Sequence, residues 1–201
     1  MLVFVADQNP VVFAALSAVR LAVAEQLDLI DRTRTDVLWV TDFPLFEQDE
    51  ETGQWTAMHH MFTSPSAELP EVGGDLSGIL GNQYDLVING NELGSGSIRI
   101  HNPDIQRRVF QLIGLSDEEV EAKFGWFVNA LDFGAPPHGG VALGIDRLIM
   151  VMLQMTNIRD VIAFPKNSVG VCPMTDSPSE AVGDAFEVVG LQLLPQPEPE
   201  A

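Results

Sequence analysis

Cysteine, basic residues and long apolar runs are all scarce in this sequence. A single thiol, Cys172, excludes an internal disulfide and a thiolate metal cluster, so it reads as a core residue and a reducing cytoplasm is the expected compartment. Ten basic residues stand against 29 acidic ones, and the formal charge of -19 opposes non-specific attraction to nucleic acid or to an anionic membrane. Any contact with nucleic acid must then be local. No run approaches the ~18 consecutive apolar residues that a membrane span needs, and no signal-peptide pattern opens the chain. The 201 residues suffice for one domain with a substantial core, or for one domain with an appendage.

What is present is a succession of short apolar runs and capped helices. Leu2 to Ala6 reads as a buried strand in need of a partner, and Asn9 with Pro10 opens a long amphipathic helix carrying Val12, Leu16, Val19, Val23, Leu27 and Ile30. Val37 to Val40 predicts a strand, Trp55 to Phe62 an extended segment, and Thr63 to Gly81 a mobile loop. Tyr84 to Ile88 begins a strand with room to continue to Leu93, which Gly94, Ser95 and Gly96 separate from Ser97 to Ile100, as a hairpin or a bulged strand. Asn102 and Pro103 open a helix that Gly114 closes, with Ile105, Val109, Phe110 and Ile113 inward, and Ser116 with Glu119 is a capping box for the next. From Pro136 to Met155 a turn, a short strand at Val141 to Leu143 and a largely buried helix follow without a spare residue. Val161 to Phe164 predicts a last strand, and residues 195–201 a disordered tail.

Three groups of residues could carry chemistry. His59 and His60 are adjacent on the extended segment, where alternation sends their rings to opposite faces and lets only one enter a given pocket; a rim histidine without a ligand is the plainer reading. Asp85 and Glu92 stand among apolar residues that exclude charge, and such a sparse carboxylate pair suits Mg2+ bridged to phosphates. Arg99 beyond them could grip a carboxylate at two points, or pair internally with Asp85 or Glu92. Arg147, at the start of the buried helix after Gly144, Ile145 and Asp146, suits a ligand phosphate or one of the many carboxylates; Asp146 can take up free amides there.

DFPLFE (Asp42 to Glu47), MHHMFTSP (Met58 to Pro65), DLVINGNELGSGSIRIHN (Asp85 to Asn102), the run from Phe124 to Gly140, GGVALGIDRL (Gly139 to Leu148) and NIRDVIAFPK (Asn157 to Lys166) closely resemble the bacterial aspartyl-tRNA synthetases. GGVALGIDR looks like the third signature motif of class II synthetases. The resemblance implies an α+β fold, a class II synthetase-like antiparallel sheet flanked by helices and present as a partial catalytic domain. Residues 1–30 resemble the exit from the bacterial insertion domain with its connecting helix, and residues 31–194 the C-terminal part of the catalytic domain.

By the same resemblance, His59 and Arg99 match residues that bind aspartate, Glu92 an ATP-site residue that also holds Mg2+ with Asp85 as companion, and Gly144, Ile145, Asp146 and Arg147 the motif that lines ATP. Arg99 and Arg147 would be the catalytic arginines. The implied function is aspartate–tRNA ligation through an aspartyl-adenylate, with ATP and Mg2+, tRNA-Asp as acceptor and a homodimer as the full-length enzyme. Positioning and charge neutralisation would supply most of the rate. The family's anticodon-binding barrel and its first and second motifs find no match, which implies a fragment that is inactive or very weak alone. A tRNA-independent ligase of the asparagine synthetase kind and a non-catalytic regulatory paralogue share the core and stay open. All these readings require Glu92, Arg99 and Arg147 to face one pocket.

Overall fold

Asn89 and Gly90, both at positive φ (49° and 77°), close a tight hairpin between β4 (Gln83–Ile88) and β5 (Asn91–Ile98). This hairpin is the middle of the sheet in a computed structural model that describes residues 2–181, 183–192 and 194. β1 (Val37–Val40) pairs with β4 and β6 (Gly139–Leu143) with β5, giving an antiparallel order β1-β4-β5-β6 with a bulge between Leu86 and Val87. The Gly94-Ser95-Gly96 run therefore lies inside one continuous strand and does not separate two. Its glycines serve close approach. A Cβ on Gly94 would stand 2.8 Å from the Ala142 carbonyl oxygen, and one on Gly96 would collide with that of Gly140, so β6 can lie against β5 only because both side chains are missing.

Around the sheet the local signals in the sequence act as expected. In α2 (Pro103–Leu112) the Asn102 side chain accepts from the amides of Asp104 and Ile105, and in α3 (Asp117–Asp132) the Ser116–Glu119 capping box is complete. The inner face of α2 is shifted: Gln106, Val109, Phe110 and Leu112 are buried while Ile105 is exposed. The core joins Leu45, Phe46, Leu76, Ile100, Val109 and Leu112, with Trp55 of the small hairpin β2 (Phe46–Gln48) and β3 (Trp55–Ala57) packed against it. Leu76, 1% exposed, fastens the expected mobile loop into this core, and backbone bonds such as Ser66 N–H to Leu80 O hold its two ends.

Several expectations fail at the start of the chain. Leu2 to Ala6 forms no strand and pairs with neither outer strand of the sheet, and Leu2 and Phe4 are exposed. α1 (Asn9–Gln26) forms but buries no residue. These elements and the sheet belong to one compact unit, Met1–Leu143.

A second unit spans Gly144–Ala201. Its α4 (Ile145–Met152) is mostly exposed rather than buried, with only Met150 inside, and no side chain caps it, Asp146 included. The strand expected at Val161 to Phe164 is replaced by a 3-10 turn, Ile158–Val161, whose start Asn157 caps through the Arg159 amide. Cys172 is half-buried in a turn, not in a core; the Thr175 hydroxyl and the amides of Met174 and Thr175 hold its thiol below the usual range. The tail expected at 195–201 lies outside the described residues. Among the described residues no helix is long and apolar enough to cross a membrane.

Candidate active site

A cavity of about 360 Å³ opens over the β5–β6 seam, within the size range of small-molecule sites. Its wall carries His59, His60, Thr63, Ser97, Arg99 and His138. The floor is the glycine-thinned backbone of Ser95 to Ser97 against Gly139 to Ala142. Arg99 follows directly on β5, and its own amide donates to the His138 carbonyl at 2.9 Å. An isolated bridge joins it to Thr63, flanked by Ser64 N–H to Ile98 O (2.9 Å) and Ile100 N–H to Phe62 O (3.0 Å). The end of β5 is thus fastened to the segment that bears the histidines.

That segment is a bend and not an extended strand, which overturns the expectation that only one histidine reaches the pocket: both His59 and His60 line it. Two long-range contacts fold the bend. Gln106, fully buried, donates from Nε2 to the Met61 carbonyl at 2.8 Å, and Phe62 meets Phe110, Phe124 and Phe127 edge to face at centroid separations of 6.4, 5.7 and 5.1 Å. His59 packs edge-on against Phe43 at 5.5 Å.

The electrostatics of the wall are uneven. His60 Nδ1 receives the Phe62 amide at 3.3 Å and lies 3.4 Å from both the Thr63 hydroxyl and Arg99 Nη1. Burial first, then the positive charge of Arg99, holds its imidazolium below the ordinary histidine range, so the ring is neutral at pH 7. The backbone donor assigns the proton of that neutral ring to Nε2. His138 is the opposite tautomer in its neutral form: Nδ1–H donates to the Pro136 carbonyl at 2.8 Å. Among the described residues no carboxylate forms an ion pair with Arg99, so the internal Arg99–Asp85 and Arg99–Glu92 bridges are not formed. The Ser97 hydroxyl is buried at the pocket without a hydrogen-bond partner.

Of the residues singled out in the sequence, the pocket brings together His59, His60 and Arg99. Asp85 is half-buried on β4 opposite Ser95, and Glu92 stands on β5 opposite Val87, two ladder steps away. Glu92 is exposed, so the argument that an apolar setting forces a cation on it does not apply there. Among the described residues no group of three or more His, Cys, Asp or Glu is placed to hold a metal on its own. Gly144, Ile145, Asp146 and Arg147 open α4 in the second unit, all exposed. His138, Ser97 and Gln106 were missed, and of the pair His59 and His60 only the first was given a role; the sequence marks His138 only by a place in the Pro-Pro-His-Gly-Gly turn.

The chain is similar to known proteins over most of its length. The aspartate–tRNA ligase of Staphylococcus saprophyticus is 45% identical over 194 residues, and the aspartate–tRNA(Asp/Asn) ligase of Persephonella marina 48% identical over 200. Each match takes in 96% of this chain and 33% of the relative, so the chain spans about a third of the length of those proteins. Among solved structures, the aspartyl-tRNA synthetase of Entamoeba histolytica superposes with a TM-score of 0.51 at 26% identity, over 69% of this chain and 24% of that one. The asparaginyl-tRNA synthetase of the same organism gives 0.50 at 25% identity, over 68% and 26%. Residues 14–168 match the family described as tRNA synthetases class II (D, K and N), and with three quarters of its length inside that match the chain belongs to this family.

Proposed function

We propose that this region is the amino-acid-binding part of an aspartate–tRNA ligase, which activates aspartate with ATP and transfers it to tRNA in the cytoplasm. The observation that carries the reading is Arg99: a guanidinium on the wall of a cavity, fastened at its backbone and without a carboxylate partner among the described residues. Such a cation is a binding site for a substrate carboxylate, and its planar fork favours two-point contact.

A carboxylate gripped by Arg99 is a poor nucleophile, since its lone pairs are engaged. The side-chain carboxylate is therefore the one held, and the α-carboxylate attacks the α-phosphorus of ATP as pyrophosphate leaves. A hydroxyl of the terminal adenosine of tRNA then attacks the carbonyl carbon, forming the ester with loss of AMP. His59 borders the held group. Gly144 to Arg147 would line the nucleotide, with Arg147 at its phosphates. Asp85 and Glu92 offer the one or two carboxylate oxygens that Mg2+ takes while sharing phosphate ligands, and that ion would neutralise phosphate charge. Pairing as a homodimer belongs to the same reading for the longer enzyme.

The test is binding of L-aspartate to the 201-residue chain by calorimetry, with L-asparagine as the competitor that lacks the second carboxylate. Aspartate should bind and asparagine should bind at least tenfold more weakly, and Arg99→Gln should abolish the difference. Equal binding of the two amino acids would refute the role given to Arg99. The chain alone should support little or no aspartate-dependent ATP–pyrophosphate exchange, and robust exchange would overturn the expectation that further phosphate contacts are needed.

A further inference from the structure

The donors around His60 pose a question of charge. An arginine held by a carboxylate is well ordered but partly neutralised, and it then attracts an anionic substrate less strongly. Arg99 Nη1 instead lies 3.4 Å from His60 Nδ1, a nitrogen with one in-plane lone pair already facing the Phe62 amide at 3.3 Å and the Thr63 hydroxyl at 3.4 Å. Sharing one lone pair among these donors accounts for the length of all the contacts. The acceptor is itself rigid. Its flanks are tied down by the buried Gln106 amide on the Met61 carbonyl, the Thr63–Arg99 bridge and the Phe62 ring, which packs 5.9 Å from the imidazole.

We propose that His60 is a positioning residue whose neutral ring, accepting at Nδ1, holds the Arg99 guanidinium ready for a substrate carboxylate without cancelling its charge. The role rests on the reading of Arg99 as the aspartate carboxylate's partner. Proton gain at Nδ1 removes the acceptor and sets two cations side by side. The charged and titratable groups that face the ring are Arg99, His59 and, across the pocket, His138, with no carboxylate ion-paired to it among the described residues. The aspartate site should therefore lose order as His60 is protonated.

Two measurements on the 201-residue chain separate this role from a merely structural one. Long-range proton–nitrogen correlation spectra should show His60 with an unprotonated Nδ1 at pH 7, and Arg99→Gln should raise its titration midpoint by removing a neighbouring positive charge. An Nδ1–H tautomer, or a midpoint indifferent to Arg99→Gln, overturns the proposal whether or not the chain binds aspartate. In calorimetric titrations with L-aspartate, His60→Phe should bind roughly fivefold to tenfold more weakly, the scale of one hydrogen bond of ordinary strength. His60→Asn, whose Oδ1 can stand where Nδ1 does, should stay within about twofold of the parent, a margin well below one such bond. Equal loss in both variants would show that the ring and not its acceptor matters. If the parent fails to bind aspartate while the spectra behave as stated, the substrate assignment falls and the His60–Arg99 coupling stands.

Discussion

Replacing Gly96 by alanine tests the seam on which the cavity rests. The new methyl carbon would collide with the Gly140 carbonyl oxygen and approach Tyr84 Cε2 to 2.7 Å. Neither obstacle can swing aside cheaply. The carbonyl belongs to the ladder that pairs Gly96 with Val141 and Ser97 with Gly140, and it accepts the Tyr84 hydroxyl at 3.2 Å. Relief requires β6 to move off β5. Overpacking of this kind costs about 1–3 kcal/mol, and each ladder bond lost adds about 1 kcal/mol, so roughly 3 kcal/mol is the expected loss. For a chain of this length that is about 6–12 °C in Tm. Gly140→Ala is the matched control: nothing lies within 4 Å of its added carbon, and it should be neutral or stabilise by about 0.5 kcal/mol. Because the chain contains two compact units, amide exchange along β5 and β6 should accompany the melting curve, and the loss should centre there. Equal stability and equal exchange in the two variants would refute the close-approach argument.

Ser97→Ala removes a buried hydroxyl that has no partner, so it should leave stability unchanged or slightly higher while weakening L-aspartate binding in calorimetry. A clear drop in stability would mean the hydroxyl serves the fold. Gln106→Leu strips the Met61 carbonyl of its donor and should cost about 1–3 kcal/mol in denaturant unfolding, with broadened His60 resonances as the bend loosens; an unchanged His60 spectrum would disconnect α2 from the site. His60 has a folded-state pKa below its ordinary value of 6.5, so the unfolded chain takes up this proton first as pH falls. Its contribution to stability is complete above that value and declines below it, and the parent should lose more stability than His60→Asn between pH 7.5 and 5.5. A parallel decline in both would assign the acid sensitivity elsewhere.

The features that the sequence made legible are those whose cause lies within a few residues. Asn102 and Ser116 cap their helices because the amides they accept from are two or three positions away. The turn at Asn89-Gly90 is just as local, at positive φ, but was passed over for the glycines that follow it. Gly94 and Gly96 were misread for the complementary reason: as local signals they mean a break, whereas here they answer to carbonyls on β6 more than forty residues later. The alternation of WTAMHHMF likewise suits a strand, yet Gln106 and the ring of Phe62 fold it into a bend after three strand residues. That His59, His60 and Arg99 are candidates was legible in the sequence and the cavity gathers all three, but the link between His60 and Arg99 was not legible. His60 matters through an atom on Arg99, thirty-nine positions away, and no periodicity connects the two. On the proposed reading a neutral acceptor, its bend pinned by a distant glutamine, orients an arginine without cancelling its charge, so a sequence can disclose a candidate binding side chain before it discloses what poises it.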